Sequence, residues 1–154
     1  LSPSSAASDV YKRQILTALL SGALMSIQGV FNTEVTKQTS TWLAAGWVQI
    51  SAFAVCLAAW CITGRESIGD LFRVKPWYLL LGGAIGAFIT ITVIWSMAGL
   101  GPAKAAMLIV ISQLAAAWLI ELFGLFGMEK TDFTVRKLLG MAVAVVGIVV
   151  FQWE

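Results

Sequence analysis

Five apolar runs, each close to the length of helix that crosses a bilayer, constrain this chain more than any other feature. A helix needs about 20 residues to span hydrocarbon. The runs extend from Ile15 to about Asn32, from Trp42 to Thr63, from Trp77 to about Ala98, from about Ala103 to Phe123, and from about Lys137 to Gln152. The connections are short and hold most of the charge. The expected fold is all-α: an integral membrane bundle of five transmembrane helices with short loops. No loop is long enough to carry a folded catalytic module outside the bilayer.

Composition agrees. Hydrophobic residues make up 59% of the 154 residues and charged residues 12%, against about a quarter charged in soluble domains. A chain this small has too little interior to hide that apolar surface from water. The formal charge of +2 is accounted for by loops and argues against a nucleic-acid partner. Histidine is absent, which removes the commonest general base and metal ligand. Cys56 and Cys61 lie in one apolar run, on different faces of a helix and without metal-site spacing. No metal or other cofactor is expected, nor an enzyme: the runs hold no paired carboxylates and no nucleophile–base set.

The first fourteen residues, LSPSSAASDVYKRQ, are polar and share no periodicity with the apolar runs. They lack the basic start, apolar stretch and cleavage site of a signal peptide. They read as translated sequencing-adapter sequence or as a disordered leader. The expected domain organisation is therefore a leader over residues 1–14 and a single five-helix domain over 15–154.

Lys and Arg set the expected orientation. The loops after the second and fourth runs contain Arg65, Arg73, Lys75, Lys130, Arg136 and Lys137, against Lys37 and Lys104 on the other side. This places the amino terminus in the cytoplasm and the carboxyl terminus outside. Trp42, Trp60, Trp77 and Trp153 stand near run ends, where interface anchors collect. Trp47, Trp95 and Trp118 are expected to pack between helices. An odd number of spans also means that a second copy fused in tandem would be inverted, the arrangement of inverted-repeat transporters.

Polar groups inside the runs are the candidate site. Thr17, Ser21, Gln28 and Asn32 fall within about 60° on a helical wheel. Side-chain amides in hydrocarbon need partners, so this face looks into the bundle or into a wet cavity. Two readings stay open: hydrogen bonds between helices, or the lining of a substrate path. Gly22 and Gly29 form a second stripe where another helix can come close. In the second run Gln49 shares a stripe with Cys56 and reads as a further interhelical hydrogen-bonding residue. The third run opens LGGAIGAF, whose Gly82, Gly83 and Gly86 read as close-packing positions; Gly140 and Gly147 do the same in the fifth run, which is purely apolar from Leu138 to Phe151. Ser112, Gln113 and Glu121 lie in the fourth run. Glu121 is the one acid within the runs, a turn from its end at Gly124. It has three readings: an interfacial structural residue, a proton- or cation-coupling residue, or a partner of Arg136 or Lys137.

The order of these pieces carries a resemblance. Gln28-x-x-x-Asn32, then LGGAIGAF, then Ser112-Gln113-Leu114 followed by ELFGLFG from Glu121, then RKLLG from Arg136, together resemble the YdcZ-type inner-membrane exporter family of the drug/metabolite transporter superfamily. The resemblance covers Ile15 to Trp153. The family pattern reads G-Q-L and then D-H-F-G, where this chain has Ser112, Glu121 and Leu122, so a neighbouring histidine has no counterpart. The related small multidrug-resistance transporters use a glutamate within their first helix; here Glu34 lies beyond the run, and that antiport scheme does not transfer.

The resemblance implies export of a small molecule across the bacterial inner membrane. The expected path residues are Ser21, Gln28, Asn32, Gln113 and Glu121. Five helices with one polar face are too few to enclose a gated path, so the expected partners are the lipid bilayer, a small-molecule substrate, and either a second copy or an oppositely oriented paralogue. The competing reading is a non-transporting scaffold or regulatory subunit.

Overall fold

The computed structural model describes residues 3–153. It is 86% helical, and no strand occurs among the described residues. Five α-helices succeed one another: α1 (Pro3–Gln38), α2 (Thr41–Thr63), α3 (Gly82–Leu100), α4 (Pro102–Phe123) and α5 (Val135–Phe151). Four segments are long and apolar enough to cross a membrane: Ser8–Gln38, Thr41–Thr63, Trp77–Leu100 and Pro102–Phe123. The fifth helix is shorter. Its 17 residues reach about 26 Å at 1.5 Å per residue, somewhat less than the roughly 30 Å of hydrocarbon.

The ends of α1 differ most from the sequence reading. The helix begins at Pro3, in the polar leader, where proline's missing N–H falls on a group that would lack an intrahelical partner anyway. It also continues past Asn32 through NTEVTKQ, which reads as a loop by polarity. Those hydroxyls bond within the helix: Thr33 Oγ1 donates to the Gly29 carbonyl and Thr36 Oγ1 to the Asn32 carbonyl, both at 2.8 Å. Thr39 repeats the pattern onto Val35, and Lys37 pairs with Glu34 one turn back. Threonine therefore satisfies itself on the helix and does not end it. The turn into α2 is very short. Ser40 caps α2 by accepting the Leu43 N–H at 3.2 Å.

The other boundaries follow local chemistry. Gly64 ends α2, and the Trp60 indole N–H donates to the Glu66 carbonyl at 3.0 Å, fixing this aromatic ring at the helix end. Two 3₁₀ turns, Ile68–Arg73 and Trp77–Leu81, lead to α3. Gly101 turns at φ 81°, a conformation open to glycine, and Pro102 takes the first position of α4. Gly124 ends α4 in the left-handed region at φ 63°.

The chain divides into two compact units, one reaching Gly99 and the other beginning at Leu100. In the first, α3 buries Ile91, Ile94 and Met97, one residue per turn, and α2 buries Ala44 and Ala45. The α1–α3 contact centres on Gly29, over which Met97 and Val93 lie. The α2–α3 contact brings Gln49 against Gly86. In the second unit α4 and α5 run side by side, joined by the 124–134 loop. That loop returns to the end of α4, where the Thr131 N–H donates to the Glu121 carbonyl at 2.9 Å. The Trp118 and Phe133 rings lie 5.7 Å apart.

Large apolar side chains are otherwise exposed along every helix, Phe53, Ile85, Leu119 and Val146 among them. In water this would be untenable. In a bilayer it is the expected state, because lipid tails solvate leucine as well as a protein core does.

Candidate functional site

The site is built on α1 and α2. These helices are joined by a turn of two residues and run back along each other, so residues early in α2 face residues late in α1. An open groove of about 910 Å³ lies between them. Ser21, Gln28 and Asn32 line it from α1, each separated by whole turns of helix. Met25 and Phe31 stand among them, and Trp47, Ser51 and Cys56 form the α2 wall. Asn32 is buried, at 9% exposure, whereas Ser21 and Gln28 are exposed along the groove.

The chemistry of this lining is specific. Gln28 and Asn32 each supply an amide donor and acceptor, and Ser21 and Ser51 supply hydroxyls. Ser51 Oγ already donates to the Val48 carbonyl at 3.0 Å. Phe31 and Trp47 supply flat apolar faces. No Asp, Glu, Lys or Arg is among the lining residues. The groove can therefore hold a molecule with apolar area and a few hydrogen-bonding groups. It supplies no ionic partner for a charge.

An α1–α3 side-chain contact lies beside the groove. With no side chain, Gly29 lets the Met97 thioether lie against the α1 backbone: a Cβ there would fall 2.5 Å from Met97 Cε. Gln28 and Asn32 flank this clamp in sequence and are turned toward α2. Helical spacing marks Gly29 as part of a small-residue stripe, but it does not name the partner.

Three of the five expected path residues thus share one groove, and two do not. Gln113 is exposed on α4 and lines neither this groove nor the α4–α5 cavity. Glu121 lines that second cavity, about 400 Å³ between α4 and α5. There its carboxylate accepts from Lys137 Nζ at 3.2 Å, each side chain being a little under half exposed. The pairing with Lys137, one of the readings open for Glu121, is present in the structure. Trp118 forms part of the same wall, and its indole N–H is buried without an acceptor.

The packing glycines divide similarly. Gly86 meets Gln49, but a Cβ on Gly22, Gly82, Gly83, Gly140 or Gly147 would find no atom within 4 Å. Spacing identifies a seam of small residues without saying which side of the helix meets a neighbour. Trp47 lines the groove but stands 65% exposed, and Trp95 stands 60% exposed, so neither is enclosed between helices of the described chain. Sequence reasoning missed Cys56 and Ser51 as groove residues. Gln49 and Cys56 share a helical stripe by spacing, yet Gln49 turns to α3 and Cys56 to α1. No group of three or more His, Cys, Asp or Glu that could hold a metal occurs among the described residues.

No curated protein and no solved structure matches the chain. Residues 14–150 match the family described as "Putative inner membrane exporter, YdcZ". With apolar helices of membrane-crossing length, a polar groove between the first two, and a family match over most of its length, the chain is a multi-pass inner-membrane protein that belongs to this exporter family.

Proposed function

We propose that this protein exports a small uncharged molecule along the α1–α2 groove, as a transporter of the drug/metabolite type. The observation that carries this reading is the convergence of Ser21, Gln28 and Asn32 on one groove with Phe31 and Trp47. An amide in hydrocarbon without a partner costs about 1–3 kcal/mol on protein mutational scales. Two such groups facing an open groove need water or substrate to satisfy them. An ion in the same place would lose hydration worth several kcal/mol with no countercharge to offset it.

The groove is open on one side and the chain buries few of its own residues, which supports work as a dimer. The excess of Lys and Arg beside the α2–α3 and α4–α5 loops opposes insertion in both orientations. It favours pairing with an oppositely oriented paralogue, or a parallel homodimer. The same bias, with α5 taken as a fifth crossing, supports an amino terminus in the cytoplasm and a carboxyl terminus outside.

Flux from reconstituted vesicles tests the substrate class. Acetanilide, neutral and aromatic, should leave faster than from protein-free vesicles, whereas tetraphenylphosphonium and benzoate should not. Protein-dependent flux of the cation alone would refute the uncharged assignment.

A further inference from the structure

The cavity between α4 and α5 is a different kind of site from the groove. It is a slot with an ion pair at one end. Glu121 on α4 and Lys137 on α5 close that end, their charged atoms 3.2 Å apart. From there the walls descend in helical steps: Ala117 and Leu114 on α4, Gly140 and Ala144 on α5. The slot runs seven residues along each helix, or about 10 Å at 1.5 Å per residue. Its walls are mainly apolar: the small Ala117, Gly140 and Ala144 lie beside the larger Leu114, Trp118 and Met141, and the Trp118 indole N–H is buried there without an acceptor.

Position gives the slot its meaning. Glu121 lies in the last turn of α4 and Lys137 in the first turns of α5. Both belong where a crossing helix meets lipid headgroups, and the slot leads from them toward the hydrocarbon. An ion pair at the mouth of an apolar slot is complementary to an amphiphile bearing one positive and one negative group above an acyl chain. A singly charged anion or cation would meet the like charge beside its partner.

We infer that this slot binds a zwitterionic phospholipid with a primary ammonium, a phosphatidylethanolamine, as a resident lipid. The ammonium donates to the Glu121 carboxylate, the phosphate accepts from Lys137, and one acyl chain lies against Ala117, Gly140 and Ala144. A choline headgroup presents the same charges without an N–H, so Glu121 distinguishes the two. The assignment stands independently of the substrate groove.

Native mass spectrometry of the purified protein tests it, with phosphatidylethanolamine, phosphatidylcholine and phosphatidylglycerol of identical acyl chains. Phosphatidylethanolamine should be retained about tenfold more tightly than the other two, the scale of one charge-assisted hydrogen bond. Glu121→Gln should reduce its retention to the phosphatidylcholine level. Ala144→Phe, which fills the slot and leaves the ion pair, should lower retention of all three lipids. Equal retention of the three by the native chain, or undiminished phosphatidylethanolamine retention in Ala144→Phe, would overturn the assignment. So would protein-dependent transfer of labelled phosphatidylethanolamine between vesicle leaflets that Ala144→Phe abolishes, which would make the slot a cargo site.

Discussion

Met97 of α3 lies over the bare Cα of Gly29 on α1, so closely that a Cβ at Gly29 would fall 2.6 Å from the methionine sulfur and 3.2 Å from Val93 Cγ1. The contact lies next to Gln28 and about one turn before Asn32 on α1, while both of these residues line the groove toward α2. The thioether is flexible and can yield to one methyl group. Gly29→Ala should therefore be near neutral, the displaced thioether offsetting alanine's helix-propensity gain of about 1 kcal/mol, and Gly29→Leu should cost about 1–3 kcal/mol, the usual range for overpacking. Unfolding in mixed micelles measures both. Met97→Ala combined with Gly29→Ala should be less destabilised than the sum of the single variants, because the two sites share one contact.

The Lys137–Glu121 ion pair should contribute little to stability. Both side chains are a little under half exposed, and pairs of this kind are worth about 0–1 kcal/mol. A double-mutant cycle with Glu121→Gln and Lys137→Gln should return a coupling within that range. A coupling of several kcal/mol would mean the pair is buried in the assembled protein.

The two native cysteines give the groove an internal control. Cys56 lines it and Cys61 does not, although both thiols are exposed and free. Saturating acetanilide should slow maleimide labelling of Cys56 and leave Cys61 unchanged. Equal protection of both thiols would place the bound molecule elsewhere.

Orientation is tested with Cys56 and Cys61 replaced by alanine and single cysteines at Thr39 and Ser67. An impermeant maleimide should reach Thr39→Cys from outside intact cells and Ser67→Cys only after the membrane is opened. Labelling of either position from both sides would defeat the single orientation read from the Lys and Arg bias.

The helices are legible in the sequence because crossing hydrocarbon demands length and apolarity together, and both are visible in one dimension. The ends of α1 are not, because polarity does not distinguish a loop from a helix whose threonines bond back to their own carbonyls, as Thr33, Thr36 and Thr39 do. The α1 face of the groove is legible because Ser21, Gln28 and Asn32 share a helical phase. The α2 wall is not, since Ser51 and Cys56 are ordinary residues until the turn at Ser40 folds α2 back along α1. Glu121 illustrates the same limit. Its pairing with Lys137, sixteen residues on, becomes visible only when α4 and α5 lie side by side. Gly82 and Gly83 look like packing positions by spacing, but spacing carries no information about which side a neighbour occupies.

Acetanilide efflux from vesicles carrying Gln28→Ala or Asn32→Ala tests the central claim, that the α1–α2 groove is the transport path. Ser26→Ala, outside the groove and bonded to its own helix at the Gly22 carbonyl, serves as the control. Each groove variant should insert normally and lose about tenfold in flux, the worth of one buried hydrogen bond left unmade, while Ser26→Ala keeps the native rate. Native flux in both groove variants would contradict the account.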